Sequence, residues 1–281
     1  MTVPKGILRG RYALGDPIAS GGMATVHLGR VTAAGGFARI VAIKRLQADL
    51  IGSPEHESIL RDEARLASRI RHPNVVAILD MLREGKEMFL VMEHVTGSSV
   101  AQLVFREGGQ AVDPEVVGGV ICGVLEGLHA AHVAKGDDGE RLDIVHRDVS
   151  PENVLVGLDG MARLLDFGVA KGKGRAQVTR AGQLKGKFAY MPPEVVMGED
   201  FSQRGDQYAV GVVMWEMLTG ARLFEPEHGK PQVDLIPRVA ESKIDAPSSR
   251  EKGLSPELDA VVMKALSRDP SDRFESVRQF A

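Results

Sequence analysis

The chain has 281 residues, enough to bury a substantial core in one large or two modest domains. Its net charge of −3 argues against a general nucleic-acid binder, which would carry a basic excess. No run of 18 apolar residues occurs, and the N-terminus lacks the apolar core of a signal peptide. We therefore expect a cytoplasmic segment without a membrane span, and this expectation leaves open an anchor beyond residue 281.

The first ninety residues alternate in the manner of β-strands. Strands are predicted over residues 12–19, 24–31, 40–46, 77–83 and 86–92. One helix interrupts them, from about Ser53, with Pro54 in its first turn, to about Arg69.

Residues 100–135 and 202–281 show mostly helical patterns, and residues 137–200 are interpreted as loop and hairpin. Cys122 lies in one of these apolar helical patterns, and we interpret it as a small core residue. The sequence predicts an α+β chain: a small antiparallel-sheet lobe over residues 1–93, a hinge over 94–99, and a larger helical lobe over 100–281 whose last helix we expect to be truncated.

The pair Asp159-Gly160, flanked by apolar runs, predicts a two-residue hairpin turn. In that register Asn153 lies opposite Asp166, roughly 5 Å away. An amide and a carboxylate bind hard cations such as Mg²⁺ through oxygen. Asp148 stands five residues before Asn153 and is a candidate proton acceptor. The hairpin therefore predicts a phosphoryl-transfer site.

Lys44 and Glu63 are predicted to pair. Lys44 shares a strand face with Ile40, Ala42 and Leu46, whereas Glu63 lies inside the apolar stripe of the first helix. A buried carboxylate is costly unless a cation accompanies it. The alternative is a glutamate at the rim of the stripe that reaches water.

Two further features carry polar groups. Residues 18–26 form a glycine-containing turn that a strand follows, so a dinucleotide-binding fingerprint is excluded, while a plain hairpin turn stays an alternative. The helix predicted over residues 205–218 is apolar nearly all round. Asp206 in its first turn is expected to be a buried acid that holds backbone donors, or a helix N-cap, or both.

The order of these motifs, with His146-Arg147-Asp148, four residues, Asn153 and then Asp166-Phe167-Gly168, resembles the bacterial Hanks-type (eukaryote-like) Ser/Thr protein kinases over practically the whole chain. The resemblance implies a bilobal protein-kinase fold. It also implies transfer of the ATP γ-phosphoryl group to Ser or Thr hydroxyls of proteins, with Mg²⁺ or, in its place, Mn²⁺.

The resemblance implies roles for individual residues. Asp148 would be the catalytic base, Asn153 and Asp166 the metal ligands, and Lys44, held by Glu63, the contact to the α- and β-phosphates. The remaining nucleotide contacts would be Ile18, Ala19, Ser20, Gly21, Gly22, Met23, Ala24, Val26, Ala42, the gatekeeper Met92, Glu93 and Val95 of the hinge, and Leu155.

Regulation and structural pairing are also implied. Arg147 beside the base marks control by phosphorylation of the activation segment, and Thr179 would be its phosphosite, modified in a transient homodimer. Glu194 at the end of that segment would pair with Arg273, while Asp206 would be structural. The cations between residues 171 and 187 have the simpler interpretation of a solvated loop.

The chain departs from the family pattern at four positions. Ala19 and Ala24 replace glycines, which costs little where the backbone is β-like and more where φ is positive. Ser150 stands where a lysine usually contacts the γ-phosphate, and loss of a unit charge at about 4 Å forfeits roughly 4 kcal/mol of Coulomb energy. Lys187 stands where a threonine is usual, so we hypothesise that it supplies the missing cation; the alternative is two unrelated changes in a weakened enzyme.

Two other functions compete with a protein kinase. A pseudokinase scaffold would bind nucleotide or partners without efficient transfer, and the Ser150 and Ala19 departures favour it. A small-molecule kinase is opposed by the complete activation segment through Glu194, which seats a peptide. The acidic stretch 134–143 lacks EF-hand spacing and is interpreted as a solvated hairpin.

Overall fold

A computed structural model describes residues 6–8, 10–20, 24–32, 36–46, 61, 64–85, 87–167, 188–225, 234–241 and 243–281. The chain divides into two compact units. The first consists of residues 1–72 and 76–95, and the second of residues 73–75 and 96–281. The division between residues 95 and 96 lies within the stretch that the sequence analysis assigns to a hinge.

The first unit is built on a six-stranded antiparallel sheet of order β1-β2-β3-β4-β6-β5. Its strands are β1 Gly6–Leu8, β2 Tyr12–Ser20, β3 Ala24–Thr32, β4 Ala38–Leu46, β5 Ile78–Glu84 and β6 Glu87–Glu93. All five predicted strands are present within one or two residues of their predicted ends. Strand β1 was not predicted because three residues are too few to show alternation. Residues 64–67 are helical, as predicted.

One face of this sheet carries a core in which Val41, Ile43 and Val91 are fully buried. Tyr12 closes this core, and its hydroxyl donates to Asp80 Oδ2 at 2.7 Å. Burial, together with that hydrogen bond, raises the pKa of Tyr12 to about 12. The Tyr12 hydroxyl at the edge of this core is therefore paired, as buried polar groups usually are.

The second unit is mostly helical. Its helices are α1 Val100–Phe105, α2 Pro114–His132, α3 Pro193–Val196, α4 Gln203–Thr219, α5 Leu235–Glu241, α6 Pro256–Ala265 and α7 Val277–Phe280. Short 3₁₀ turns lie at Arg106–Gly108, Pro151–Asn153, Phe188–Tyr190, Pro247–Ser249 and Pro270–Asp272. A small sheet has the order β7-β8-β9, with strands Gly97–Ser99, Val154–Gly157 and Ala162–Leu164.

Helix α4 is the centre of this unit, because every residue from Gly205 to Leu218 is buried, as its all-round apolar pattern predicts. It ends at Gly220, which has a φ of +66°. A Cβ on Gly220 would lie 2.5 Å from the carbonyl carbon of Gln110. Glycine therefore both terminates the helix and admits the neighbouring backbone.

Helix α2 packs against α4 and β9 with one face. Its 19 residues reach a mean hydropathy of 1.2 and are long and apolar enough to cross a membrane by length and composition, although 44% of that window is buried in the unit. Core helices of globular proteins pass the same test. Cys122 is exposed on this helix, so its interpretation as a core residue is wrong. Its apolar neighbours in sequence face inward, whereas its own Sγ lies 3.7 Å from the carbonyl oxygen of Ala281.

Candidate phosphoryl-transfer site

The β8–β9 hairpin has a register different from the predicted one. Val154 pairs with Leu164, and Gly157 N donates to Met161 O at 3.0 Å, which leaves a loop of three residues, 158–160. Gly160 has a φ of +78°, the left-handed residue that follows a type I turn in such loops. The predicted two-residue turn, with Asn153 opposite Asp166, is therefore wrong by one residue.

Asn153 is paired through its backbone with the residue before Asp166. Its carbonyl oxygen accepts from Leu165 N at 2.9 Å. Asp166 then leaves the strand direction with a φ of +48°, a conformation that costs a non-glycine residue free energy and that clusters at functional sites. The hairpin thus still carries Asn153 and Asp166 at one end, at positions one residue out of direct opposition.

Asn153 also contacts Asp148. Its Nδ2 donates to the backbone oxygen of Asp148 at 2.8 Å and to Oδ2 at 3.0 Å. Both contacts use the amide nitrogen, so the amide oxygen is the group that a cation would bind. The second contact fixes the orientation of the Asp148 carboxylate.

Asp206 anchors the backbone that precedes Asp148. It is 0% exposed, and its Oδ2 accepts from the backbone N–H of His146 and from His132 Nε2, both at 2.9 Å. Its Oδ1 accepts from the N–H of Arg147 at 2.9 Å. The N-cap of α4 is Ser202, so the N-cap interpretation of Asp206 is wrong, whereas the structure shows it holding backbone donors.

Arg147 adopts a φ of +63°, a conformation that the hydrogen bonds donated to Asp206 by the N–H groups of His146 and Arg147 help to hold. Among the described residues, only Asp143, Arg147 and Asp166 have a positive φ without being glycine. Two of these three flank the candidate site. Such strained backbone persists only where surrounding contacts determine it.

His146 joins the loop of Asp148 to the strand that leads to Asp166. Its side chain is 0% exposed, and the N–H of Asp148 donates to its Nδ1 at 3.2 Å. Because Nδ1 accepts there, Nε2 carries the proton and donates to Leu165 O at 2.9 Å. The His146 ring also contacts Phe167, with 4.5 Å between ring centroids.

The first unit collects several predicted nucleotide contacts on one sheet face. Ala19 pairs with Val26, Val26 pairs with Lys44, and Ala42 pairs with Met92. Direct cross-strand partners project to the same face, so these five residues share it. Ala42 and Met92 are buried and Lys44 is half-buried, which gives an apolar face with one amine. Ile40, at the start of this face, is 55% exposed, so the face is less covered there than predicted.

The two alanines that replace glycines lie in regular strand. Ala19 belongs to β2 and Ala24 begins β3, and neither has a positive φ. Their methyl groups therefore cost little backbone free energy. The other predicted hinge and loop contacts are placed as follows: Ile18 and Ser20 are exposed in β2, Glu93 and Val95 are half-buried, and Leu155 is half-buried in β8.

Several predicted residues lie outside the described part of the chain. These are Gly21, Gly22, Met23, Glu63, Thr179 and Lys187. The Lys44–Glu63 pair, the phosphosite and the exchange between Ser150 and Lys187 therefore stay predictions. Ser150 itself is described and is buried.

Glu194 and Arg273 form a buried bidentate ion pair. Arg273 Nη1 donates to Glu194 Oε1 at 2.8 Å, and Nη2 donates to Oε2 at 2.7 Å. The guanidinium also donates to the backbone oxygens of Ser267 and Arg204, both at 2.9 Å. Its donors are thus largely satisfied, as a buried ion pair requires.

A family comparison matches the chain to the protein kinase domain over residues 12–280. The chain belongs to the protein kinase family. Its relatives include the Myxococcus xanthus protein named tyrosine-protein kinase MasK, 35% identical over 274 residues, which are 97% of this chain and 42% of MasK. They also include two serine/threonine-protein kinases. PknL of Mycobacterium tuberculosis is 34% identical over 95% of this chain and 63% of PknL. PknB of Mycobacterium leprae is 32% identical over 99% of this chain and 43% of PknB.

The kinase domain of Mycobacterium tuberculosis PknI has the same fold, with a TM-score of 0.69 at 24% identity, covering 100% of this chain and 97% of that domain. The predicted protein-kinase fold and family are therefore confirmed. The chain spans between 42% and 63% of the length of the three curated relatives named above.

Two residues that support this site were not predicted from the sequence, and a third, His146, was named in its motif without a role. His132 acts through a contact that crosses 74 positions of sequence, and nothing local distinguishes it from other core histidines. His146 contacts Asp148 N two residues away and Leu165 O across 19 positions. Glu216 has 0% exposure inside α4, and an acid in an otherwise apolar helix was a signal that could have singled it out.

Proposed function

We propose that this protein kinase transfers the γ-phosphoryl group of ATP to Ser or Thr hydroxyls of protein substrates. The observation that carries the proposal is the 3.0 Å contact between Asn153 Nδ2 and Asp148 Oδ2. It ties the candidate base to the candidate metal ligand in one hydrogen-bonded unit. Phosphoryl transfer depends mainly on such positioning and on electrostatic stabilisation.

Asp148 would orient the acceptor hydroxyl and take its proton, since Asn153 and the anchored loop fix its carboxylate. Asn153 and Asp166 offer an amide oxygen and a carboxylate, the hard oxygen ligands that Mg²⁺ combines with phosphate oxygens. Among the described residues, no group of three or more His, Cys, Asp or Glu side chains is arranged to hold a metal ion, so these two would serve together with the nucleotide. The bound ion, Mg²⁺ or Mn²⁺, supplies charge neutralisation at the phosphates.

The nucleotide would lie against the sheet face that carries Val26, Ala42 and Met92, with Lys44 contacting its α- and β-phosphates. Those apolar side chains suit an adenine ring, and the amine suits an anion. Glu63 would hold Lys44. We place this domain in the cytoplasm, where ATP and protein substrates are available.

Regulation by the activation segment is part of the proposal. Arg147 Nε is buried and has no hydrogen-bond partner among the residues that the structure describes. A buried guanidinium donor of this kind suits an anionic partner, and phosphorylated Thr179 would supply one after autophosphorylation in a transient homodimer. Mass spectrometry of the chain after incubation with ATP should find phosphate on Thr179, and Thr179→Ala should lower turnover.

Lys187 would replace the lysine that is missing at Ser150. A double-mutant cycle tests this. Lys187→Thr should abolish most turnover, and Ser150→Lys should restore it in the same chain. If Lys187→Thr leaves turnover unchanged, or if the second change restores nothing, the two departures are unrelated.

The alternative function is a pseudokinase scaffold, which the Ser150 departure favours. Labelled ATP with Mg²⁺ and a mixture of protein acceptors separates the two, with Asp148→Asn as the matched control. Label transferred by the natural chain and lost in the control supports the enzyme. Calorimetric nucleotide binding without transfer in either chain supports the scaffold.

The acceptor residue needs its own measurement, because the relatives include proteins named as serine/threonine kinases and one named as a tyrosine kinase. Phosphoamino-acid analysis of the labelled products should show phosphoserine or phosphothreonine. Phosphotyrosine alone would refute the serine/threonine preference and leave the kinase activity intact.

A further inference from the structure

Arg222 lies between two carboxylates of the second unit. Its Nη1 is 3.5 Å from Glu216 Oε2, and its Nη2 donates to Glu152 Oε1 at 3.3 Å. The guanidinium carbon stacks over the Phe105 ring, 3.6 Å from its centroid. One cation thus bridges two acids and rests on an aromatic face, an arrangement typical of a built guanidinium site.

The inner wall of this site is rigid and polar. Glu216 has no exposed surface, and it accepts from the Tyr190 hydroxyl at 2.9 Å and from Leu223 N at 3.1 Å. Arg222 Nη1 also donates to the Tyr190 hydroxyl. Burial raises the pKa of Glu216 to about 7, and the positive charge of Arg222 opposes that rise.

The site opens to solvent on the side of Glu152, whose side chain is 54% exposed, whereas that of Arg222 is 29% exposed. Glu152 directly precedes Asn153, which contacts Asp148. Tyr190 belongs to the 3₁₀ turn that leads toward Glu194 at the end of the activation segment. The carboxylate pair therefore borders both the catalytic loop and the segment expected to seat a peptide.

We propose that Arg222 fills, from within the chain, a cation site that Glu152 and Glu216 would otherwise offer to an arginine of the acceptor protein. It is then a specificity-determining residue: this kinase does not select substrates with a basic residue at the position that faces the pair. This inference rests on the proposed function, because it assumes that an acceptor peptide passes the catalytic loop.

The physical reason is competition between a tethered cation and a free one. Arg222 follows the end of α4 by three residues and is already paired, so a substrate arginine would have to displace it against a high effective concentration. It would also approach a positive charge. Removing the Arg222 guanidinium leaves Glu152 and the buried Glu216 without the cation between them, above the Phe105 ring.

The first test measures occupation of the site without catalysis. Ethylguanidinium should raise the Tm of Arg222→Ala by at least about 2 °C more than it raises that of the natural chain, because a ligand that binds only the folded state stabilises it. The matched control is Arg238→Ala, which removes a nearby arginine that donates to the backbone oxygen of Glu225. The response of this control should equal that of the natural chain. Arg222→Ala combined with Glu152→Gln should lose the added response.

Arg222→Gln serves where Arg222→Ala does not fold, since glutamine removes the charge and keeps a longer polar side chain with an amide donor. If neither variant responds to ethylguanidinium more than the natural chain and the Arg238→Ala control do, there is no latent cation site and the inference is wrong. This result does not depend on kinase activity.

The second test measures specificity with serine peptides that differ by Arg or Ala at each position in turn. At every position the natural chain should have KM values for the Arg and Ala peptides that differ by less than about twofold. Arg222→Ala should have a KM about tenfold lower for arginine than for alanine at one position. A natural chain that already prefers arginine as strongly as the variant overturns the inference. A natural chain that phosphorylates no peptide or protein refutes the proposed function instead, and the ethylguanidinium response then decides this inference alone.

Discussion

Asp206→Asn should destabilise the second unit and release the loop of the candidate base. The carboxylate of Asp206 is buried and accepts three hydrogen bonds, from His146 N, Arg147 N and His132 Nε2, each at 2.9 Å. An asparagine is nearly isosteric but has a single acceptor oxygen. Whichever way its amide is turned, its NH₂ group faces at least one N–H donor.

The magnitude follows from these contacts. In the better orientation the amide oxygen keeps the two bonds made by Oδ2, and the N–H of Arg147 loses its partner. A hydrogen bond to a charged group contributes about 1.5–3 kcal/mol, and the two that remain are weakened when the charge is lost. We expect a decrease of about 2–4 kcal/mol in the free energy of unfolding.

Urea unfolding followed by fluorescence measures this decrease, because the chain has one tryptophan, Trp215, which is buried in the second unit. Asp200→Asn, at an exposed position, is the control and should change stability by less than about 0.5 kcal/mol. Amide exchange at Arg147 should also accelerate in Asp206→Asn. A loss below about 1 kcal/mol with unchanged exchange would refute the role assigned to the anchor.

Glu194→Gln should lower the free energy of unfolding by about 3–5 kcal/mol, because it leaves the guanidinium of Arg273 buried without its charge partner. Thermal denaturation measures this loss. A loss under about 1 kcal/mol would contradict the importance of the pair. Burial raises the pKa of Glu216 from 4.5 to about 7, so the folded state binds this proton more tightly than the unfolded state does. The stability that the proton contributes is complete below pH 4.5, and about 3 kcal/mol of it is lost as the pH rises to 7. Glu216→Gln should remove this dependence of the free energy of unfolding on pH, measured by urea titrations at about pH 4.5–7.5. Gly220→Ala should lower the free energy of unfolding by more than Gly160→Ala, for which we expect a loss of about 1 kcal/mol. Both glycines have a positive φ, but only at Gly220 would the added methyl group meet backbone atoms. Equal losses in urea unfolding would refute the clash.

The sequence located the elements of this fold well where periodicity extends over several residues. Five strands of the first unit and helix α4 follow from alternation and from an all-round apolar pattern. Errors occur where a single residue decides. The loop of the β8–β9 hairpin has three residues instead of two, because Gly160 takes the left-handed position after a type I turn, and both loops fit the same letters.

The type of chemistry was also readable from the sequence, because the acid, amide and acid of the candidate site occur at short, ordered separations within one hairpin and the loop before it. The sequence did not determine the exposure of Cys122. Adjacent faces of an apolar helix look alike in sequence, and only the elements that pack against the helix decide which face is buried. The family comparison confirmed the kinase fold, whereas the residue roles still depend on the experiments described above.

By itself, the sequence of this kinase determined the order of its strands and helices, and it predicts which groups would handle phosphate. Only the tertiary structure decided what holds those groups: Asp206 reaches the backbone of His146 across 60 positions, and the His146 side chain reaches Leu165, next to Asp166, across 19. Local patterns are set by helical and strand periodicity, which neighbouring residues reveal. Contacts between distant positions depend on how buried elements pack, and the residues around such a position do not show which distant residue it will contact.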